Sequence, residues 1–267
     1  LLCHDFEGKV FPVSRSHPEI MGLKAFPTIS DVPEQVDLAV LIIPAIYVAD
    51  TLEDCAKHGV KSALILSSGF SEDNSEDGDL LQQKLLDISK RTNMVISGPN
   101  SEGYANMALK LCPTFSPAVD GENIELMPSW PAKKRIAVIA QSGGMGFSFY
   151  DRGRPKNLPF SYVITTGNEA CLESLDIVEY LIDSDEADIF LMFMEDVKTP
   201  SKLSYVAEKA LSVGKPIIVT KIGHSDAGIR AAASHTASLA GSYQIYNSIF
   251  ERYGIIEGSD IEEIVDI

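Results

Sequence analysis

Two short segments of this 267-residue chain concentrate residue types that can do chemistry. The first, Gln141-Ser142-Gly143-Gly144-Met145-Gly146, follows the apolar run Ile136 to Ala140 and leads into an apolar helical segment. Backbone N–H groups at such a helix start form an anion site suited to phosphate, and Gly143 and Gly144 let a ligand approach closely. A tight turn whose glycines serve packing alone is the plain alternative. The second segment runs from Ala232 to Ser242 and presents His235 among side chains too small to fill a core. A neutral imidazole held that way can act as a base, or as a nucleophile toward a phosphoryl group. Glu195 ends a further apolar run, Ile189 to Met194, where a carboxylate can fix an imidazole tautomer or simply cap a strand.

The order Ser142, Glu195, His235 is also the Ser, acid, His order of α/β-hydrolases, with Ala140 to Gly144 as a relaxed nucleophile elbow. Against that reading, no glycine precedes the serine and no HGGG-like segment lies upstream. The small-residue run around His235 also has no part in hydrolysis. His4, His17, His58 and His224 show no metal-ligand spacing, so no metal site is expected.

These residues need a scaffold, and the pattern around them is α/β. Apolar runs predict strands over Lys9–Val13, Leu38–Ile43, Ala63–Leu66, Met94–Ser97, Ile136–Ala140, Ser161–Thr165, Ile189–Met194 and Pro216–Lys221. Helical spacing occupies Val48–His58, Leu80–Arg91, Leu172–Asp183, Lys202–Val213 and Ser242–Tyr253, and Gly59, Gly214 and Gly254 stand where a C′ glycine stops a helix. Prolines 113, 117, 128 and 131 break the alternation and place a domain boundary near residue 128. The acidic run Ser71 to Asp79 reads as a solvated loop ahead of a helix. A nucleotide-binding sheet normally starts one strand earlier than this chain does, so a longer polypeptide is expected.

Composition excludes several classes. There are 38 Asp and Glu against 22 Lys and Arg, a net charge of −16, with −10 of it before residue 128. That field repels nucleic acid. No apolar run is long enough to span a membrane, and four scattered cysteines without a C-x-x-C pair suit a reducing compartment. A cytoplasmic protein is expected.

Seven segments together resemble the NDP-forming acyl-CoA synthetases, relatives of the succinyl-CoA synthetase α subunit. They are Gly8–Val13, Val36–Val40, Ser68–Phe70, Gly98–Asn100, Gln141–Gly144, Gly167–Ala170 and, most specific, Ser234–Ser242. The resemblance implies a CoA-binding Rossmann-like domain over 1–127 and a flavodoxin-like ligase domain over 128–267. It makes His235 the phosphohistidine, Glu195 its supporting glutamate, and Ser142, Gly143 and Gly144 the phosphate seat. Acyl-CoA and phosphate would give acyl phosphate and CoA, His235 would take the phosphoryl group, and ADP would receive it. CoA contacts map to Ser14, Arg15, Ile43, Pro44, Ser68, Gly69, Pro99 and Asn100. Ser14-Arg15-Ser16 replaces the family's common Asn-Pro-Lys, and Glu102 stands where relatives usually carry an apolar residue.

The expected ligands are a carboxylic acid or its acyl-CoA, with ATP or ADP and Mg²⁺ on a separate ATP-grasp domain or subunit. An oligomer is expected. The alternative is a non-catalytic module that binds CoA or acyl-CoA and regulates an attached domain.

Overall fold

The computed structural model describes residues 4–120, 134–223 and 243–267. Strands β1 (Glu19–Ile20) and β2 (Leu23–Lys24) form a small antiparallel hairpin. There follow β3 (Leu38–Leu41), α1 (Ala45–Lys57), β4 (Ser62–Ile65), α2 (Glu76–Thr92), β5 (Val95–Ser97) and β6 (Tyr104–Asn106). The rest comprises β7 (Ile136–Ala140), α3 (Gly143–Gly153), β8 (Phe160–Thr165), α4 (Ser174–Asp183), β9 (Ile189–Met194) and α5 (Pro200–Ser212). It ends with β10 (Ile217–Lys221), α6 (Tyr243–Tyr253), β11 (Ile256–Glu257) and α7 (Ile261–Asp266).

Two parallel sheets result. The smaller has the order β3-β4-β5, and α1 and α2 bury Leu52, Cys55, Leu85 and Ile88 against it. The larger has the order β11-β10-β9-β7-β8-β6, parallel except for the antiparallel β6–β8 edge. All five residues of β7 are buried, as befits a strand covered on both faces. The two-residue period sends Ala137 and Ile139 into a core with α4, α5 and α6, and Ile136, Val138 and Ala140 into a core with α3 and α7. β9 divides the same way, with Phe190, Met192 and Met194 on one side and Leu191 and Phe193 on the other.

Seven of the eight expected strands form, with ends shifted by a residue or two, and Gly59, Gly214 and Gly254 take the positive φ of helix stops. The expectation for Lys9–Val13 fails. Pro12 has no N–H to donate, and only a single bridge, Val13 to Phe26, forms there. Helix α2 starts inside the acidic run, because the Ser75 hydroxyl accepts from Gly78 N at 3.1 Å and Glu76, Asp77 and Asp79 suit the positive helix end. Strand β6 has no sequence signature. Three residues are too few for a period, and pairing with β8 creates it.

The sheets are stitched together at the loop after β8. Asn168 N donates to Pro99 O at 2.9 Å, Ala170 N to Gly98 O at 2.9 Å and Leu172 N to Ile96 O at 3.2 Å, so the loop runs along the end of β5. Gly167 permits this approach. Its φ is +58°, and a Cβ there would fall 2.2 Å from Pro99 O. Gly167→Ala is therefore expected to cost about 1–3 kcal/mol, read as a lower urea midpoint. A midpoint unchanged from wild type would contradict this account of the junction.

Candidate active site

Within the larger sheet the chain leaves β7 for β8 on one side, then crosses to β9 on the other. Ligands bind at such a reversal, beyond the carboxyl ends of the strands. The residues standing there are Gln141 and Ser142 after β7 and Glu195 after β9.

Ser142 is the N-cap of α3, and its side chain caps none of the helix N–H groups. Among the described residues nothing lies within 4 Å of a Cβ placed on Gly144, whereas a Cβ on Gly146 would lie 2.8 Å from Thr165 Cγ2, so Gly146 is the packing glycine of this turn. A Cβ on Gly143 would lie 2.8 Å from Glu102 Oε2, which places a carboxylate beside the helix start. Ser142 has φ −91° and ψ 129°, an ordinary extended conformation. A nucleophile elbow needs a sharp, strained turn, so the geometry of the hydrolase alternative is absent.

Glu195 is buried, and its backbone is held on both sides. Its N–H donates to Gln141 Oε1 at 2.6 Å, and its carbonyl accepts from Lys221 Nζ at 2.7 Å. Lys221, 2% exposed, lies 4.6 Å over the Tyr246 ring, and burial lowers its pKa. Tyr246 donates to Asp196 Oδ1 at 2.7 Å. His235 lies outside the described residues.

Behind Gln141 lies a second carboxylate. Glu169 has φ +53° and is 3% exposed. It accepts from Gln141 Nε2 at 3.0 Å, Thr166 Oγ1 at 2.8 Å and Ser174 N at 2.8 Å. Burial raises its pKa against the opposing effect of those donors. Lys198 Nζ donates to the carbonyls of Asn168 and Glu169 at 2.6 and 2.7 Å. Desolvation lowers the Lys198 pKa, while Glu169 and Glu173 act to raise it.

The smaller sheet aligns most of the expected CoA contacts. Ser67 Oγ donates to Ile43 O at 2.5 Å and Asn100 N donates to Ser67 O at 2.8 Å, which brings the chain ends beyond β3, β4 and β5 together. Ile43, Pro44, Ser68, Gly69, Pro99 and Asn100 therefore share one edge, rimmed by exposed Ile42, Ile46 and Tyr47. Gly69 N is already engaged by Glu72 Oε1 at 2.7 Å, and the other Glu72 oxygen accepts from Asn168 across the junction. Ser14 stands next to the β1–β2 hairpin, where its N–H donates to Phe26 O at 2.9 Å. No described hydrogen bond joins Ser14 or Arg15 to the strand-end edge.

Gln141, Glu169, Lys198 and Lys221 were not expected as site residues. A signal existed for two of them: Gln141 follows β7, and Lys221 is a charge closing a buried strand at the edge shared with Glu195.

The raised Glu169 pKa has a sign that can be measured. A carboxyl whose folded pKa exceeds its ordinary 4.5 loses stability as pH rises from that value through the raised one, because only the unfolded chain ionises freely. Glu169→Gln is expected to remove this part of the slope. Urea unfolding across that pH range checks it, and parallel profiles for variant and wild type would refute it.

Comparison with known proteins bears on both sheets. Residues 2–107 match a CoA binding domain model, and residues 133–267 match a Succinyl-CoA ligase like flavodoxin domain. The chain is 38% identical over 263 residues to an acetate–CoA ligase [ADP-forming] of Methanocaldococcus jannaschii, covering 98% of this chain and 35% of that protein. It is 35% identical to the α subunit of acetate–CoA ligase [ADP-forming] II of Pyrococcus furiosus, over 97% of this chain and 54% of that subunit. The structure of a dinucleotide forming acetyl-coenzyme A synthetase 1 from Ca. Korarchaeum cryptofilum, in complex with phosphate and ADP, superposes with a TM-score of 0.86 at 33% identity, covering 100% of this chain and 55% of that one. This chain thus spans from about a third to about half of the length of these relatives. With one family model over each sheet and this identity along nearly its whole length, the chain belongs to the NDP-forming acyl-CoA synthetases, with a CoA-binding domain and a succinyl-CoA ligase-like flavodoxin domain.

Proposed function

We propose that this chain is the CoA- and acyl-handling part of an acid–CoA ligase that forms ADP or another NDP. The observation that carries the reading is the convergence of the α3 N-terminus and Glu195 at the β7/β9 reversal, beside a CoA-binding edge joined to it by the Gly167 loop. Phosphate at Ser142, Gly143 and Gly144 attacks the acyl carbon of an acyl-CoA, the C–S bond breaks, and the thiolate leaves as free CoA. An Nε or Nδ lone pair of His235 then takes the phosphoryl group from acyl phosphate and releases the carboxylate. ADP receives it on an ATP-grasp domain or subunit that holds the nucleotide with Mg²⁺, and every step reverses for synthesis. The helix N–H groups and dipole stabilise the charge on the moving phosphoryl group. Glu195 holds the imidazole and stabilises its charged form.

CoA supplies the thiol and, as substrate, fits the edge of Ile43, Pro44, Ser68, Gly69, Pro99 and Asn100. Exposed Ile42, Ile46 and Tyr47 beside it offer an apolar rim. We divide the chain at residue 128, with 1–127 as the CoA unit; its tail, carrying β6, crosses to close the sheet of 128–267. The reading also places the protein in the cytoplasm, and no helix of the described residues is long and apolar enough to cross a membrane.

One observation favours a second reading, a CoA-binding module without turnover: the Glu102 carboxylate beside Gly143 repels a phosphate placed there. One experiment separates the two. In the complete protein, γ-labelled ATP and Mg²⁺ are expected to label His235 with acid-labile, alkali-stable phosphate. His235→Ala is expected to abolish the label, and Glu195→Gln to slow it on the order of 100-fold. CoA binding by calorimetry with an unlabelled wild type would replace the ligase reading by the second.

A further inference from the structure

The Gln141 side chain uses every hydrogen-bonding position of its amide. Oε1 accepts from Glu195 N at 2.6 Å and from Asp196 N at 3.1 Å, and Nε2 donates to Asp196 O at 2.8 Å and to Glu169 Oε2 at 3.0 Å. The backbone N–H of the same residue donates to Phe193 O at 3.2 Å. One side chain therefore ties the ends of β7 and β9 to the loop after β8. That loop is the one laid along β5 through Asn168 and Ala170, next to the CoA edge.

An amide has two faces that are not interchangeable, and Glu169 supplies the one side-chain group among the four partners that fix which way this one points. Its carboxylate accepts the Nε2 hydrogen, which leaves Oε1 toward the two N–H groups of the Glu195–Asp196 turn. The opposite flip would set Oε1 against Glu169 Oε2 and Asp196 O, and the amide hydrogens against Glu195 N–H and Asp196 N–H. We propose that Gln141 and Glu169 are a positioning pair for the phosphoryl-transfer step, in which the buried Glu169 carboxylate helps orient the Gln141 amide and the amide fixes the backbone of the Glu195–Asp196 turn, and with it the glutamate that serves the histidine in the ligase reading.

The pair touches no reacting atom in this scheme and acts through Glu195. The inference rests on the ligase reading, because it needs Glu195 to serve the histidine. It also links the CoA edge to the histidine support by covalent chain and hydrogen bonds alone: Pro99 O to Asn168 N, along the loop to Glu169, through Gln141 to Glu195 N.

Charge makes the pair testable. In Gln141→Glu, two carboxylates face each other at about hydrogen-bond distance and cannot both ionise there. The other charged groups at the pair are Lys198, Glu173 and Asp196 around the loop, and Glu195 and Lys221 beyond the amide. A shared proton restores one hydrogen bond between residues 141 and 169 at low pH, and losing it opens the turn at high pH. The swap Gln141→Glu with Glu169→Gln restores a donor facing an acceptor at every pH, apart from the contact to Asp196 O.

The experiment is single-turnover labelling of His235 by γ-labelled ATP in the complete protein, over a range of ATP concentrations and from about pH 6 to about pH 9. Gln141→Glu is expected to label at least about tenfold more slowly at high pH and to recover as pH falls. Its half-saturating ATP should stay at the wild-type value, because the nucleotide sits on another module. The swap is expected to regain most of the rate at high pH. Gln141→Met, which keeps the shape and loses the bonds, is expected to be slow at all pH values, and urea unfolding of each variant shows whether it is folded.

Wild-type labelling with Gln141→Glu equally fast at every pH overturns the positioning role. A loss that neither low pH nor the swap relieves also overturns it, since a general structural defect behaves that way. An unlabelled wild type is a different result and overturns the ligase reading itself.

Discussion

The chemistry of this chain depends on one strand being enclosed on both faces. Residues Ile136 to Ala140 carry no polar side chain and are buried between two helical layers, so β7 lies inside the sheet, where it pairs with β8 on one side and β9 on the other. With β7 central, the next strand pairs on one side and the following crossover returns on the other, which opens the crevice at its carboxyl end. Gln141 and Ser142 occupy that crevice because they are the first residues past the apolar run. Glu195 joins them because β9 is built the same way and lies alongside in register.

Polar groups held in such a crevice must find partners within it, and here they do so through a compact network. Gln141, Glu169, Lys198, Lys221, Asp196 and Tyr246 exchange hydrogen bonds across four strand ends and one helix. A buried network of this kind is stiff when its members are satisfied, because each broken bond leaves a desolvated group behind. In the proposed reading that stiffness suits the phosphoryl-transfer step, which needs its groups held at fixed distances.

The net charge of −16 sets a second constraint. Long-range attraction cannot bring an anionic ligand to this surface, and screening confines each charge to about 8 Å at physiological salt. Anion binding must come from N–H groups and helix ends close to the ligand. Those are also places where the protein puts its own carboxylates, Glu72 on Gly69 N and Glu102 beside Gly143. In the proposed reading an anionic ligand would have to share each of these places with that internal carboxylate.

Hydrophobic periodicity alone was enough to read seven strands, five helices and the α/β class, because burial on one or two faces imposes a repeat that sequence displays, while the division into two units came from the proline-rich stretch and the family resemblance. The same reading put Ser142 and Glu195 just past strand ends and Gly143 and Gly144 at the start of the following helix, and glycine turns marked Ser68-Gly69 and Gly98 to Asn100 at the ends of the smaller sheet's strands, whereas Ile43 and Pro44 came from the family resemblance. It misplaced a strand at Lys9–Val13, where an apolar run met a proline. It had no means to find β6, whose pairing partner lies more than fifty residues away. What the sequence by itself determined is which residues stand at strand ends, a local property. The tertiary structure alone decided that Gln141 bonds to Glu195 N and to Glu169, and that the loop after β8 splices the two sheets, because those are contacts between segments whose separation along the chain carries no periodic signal.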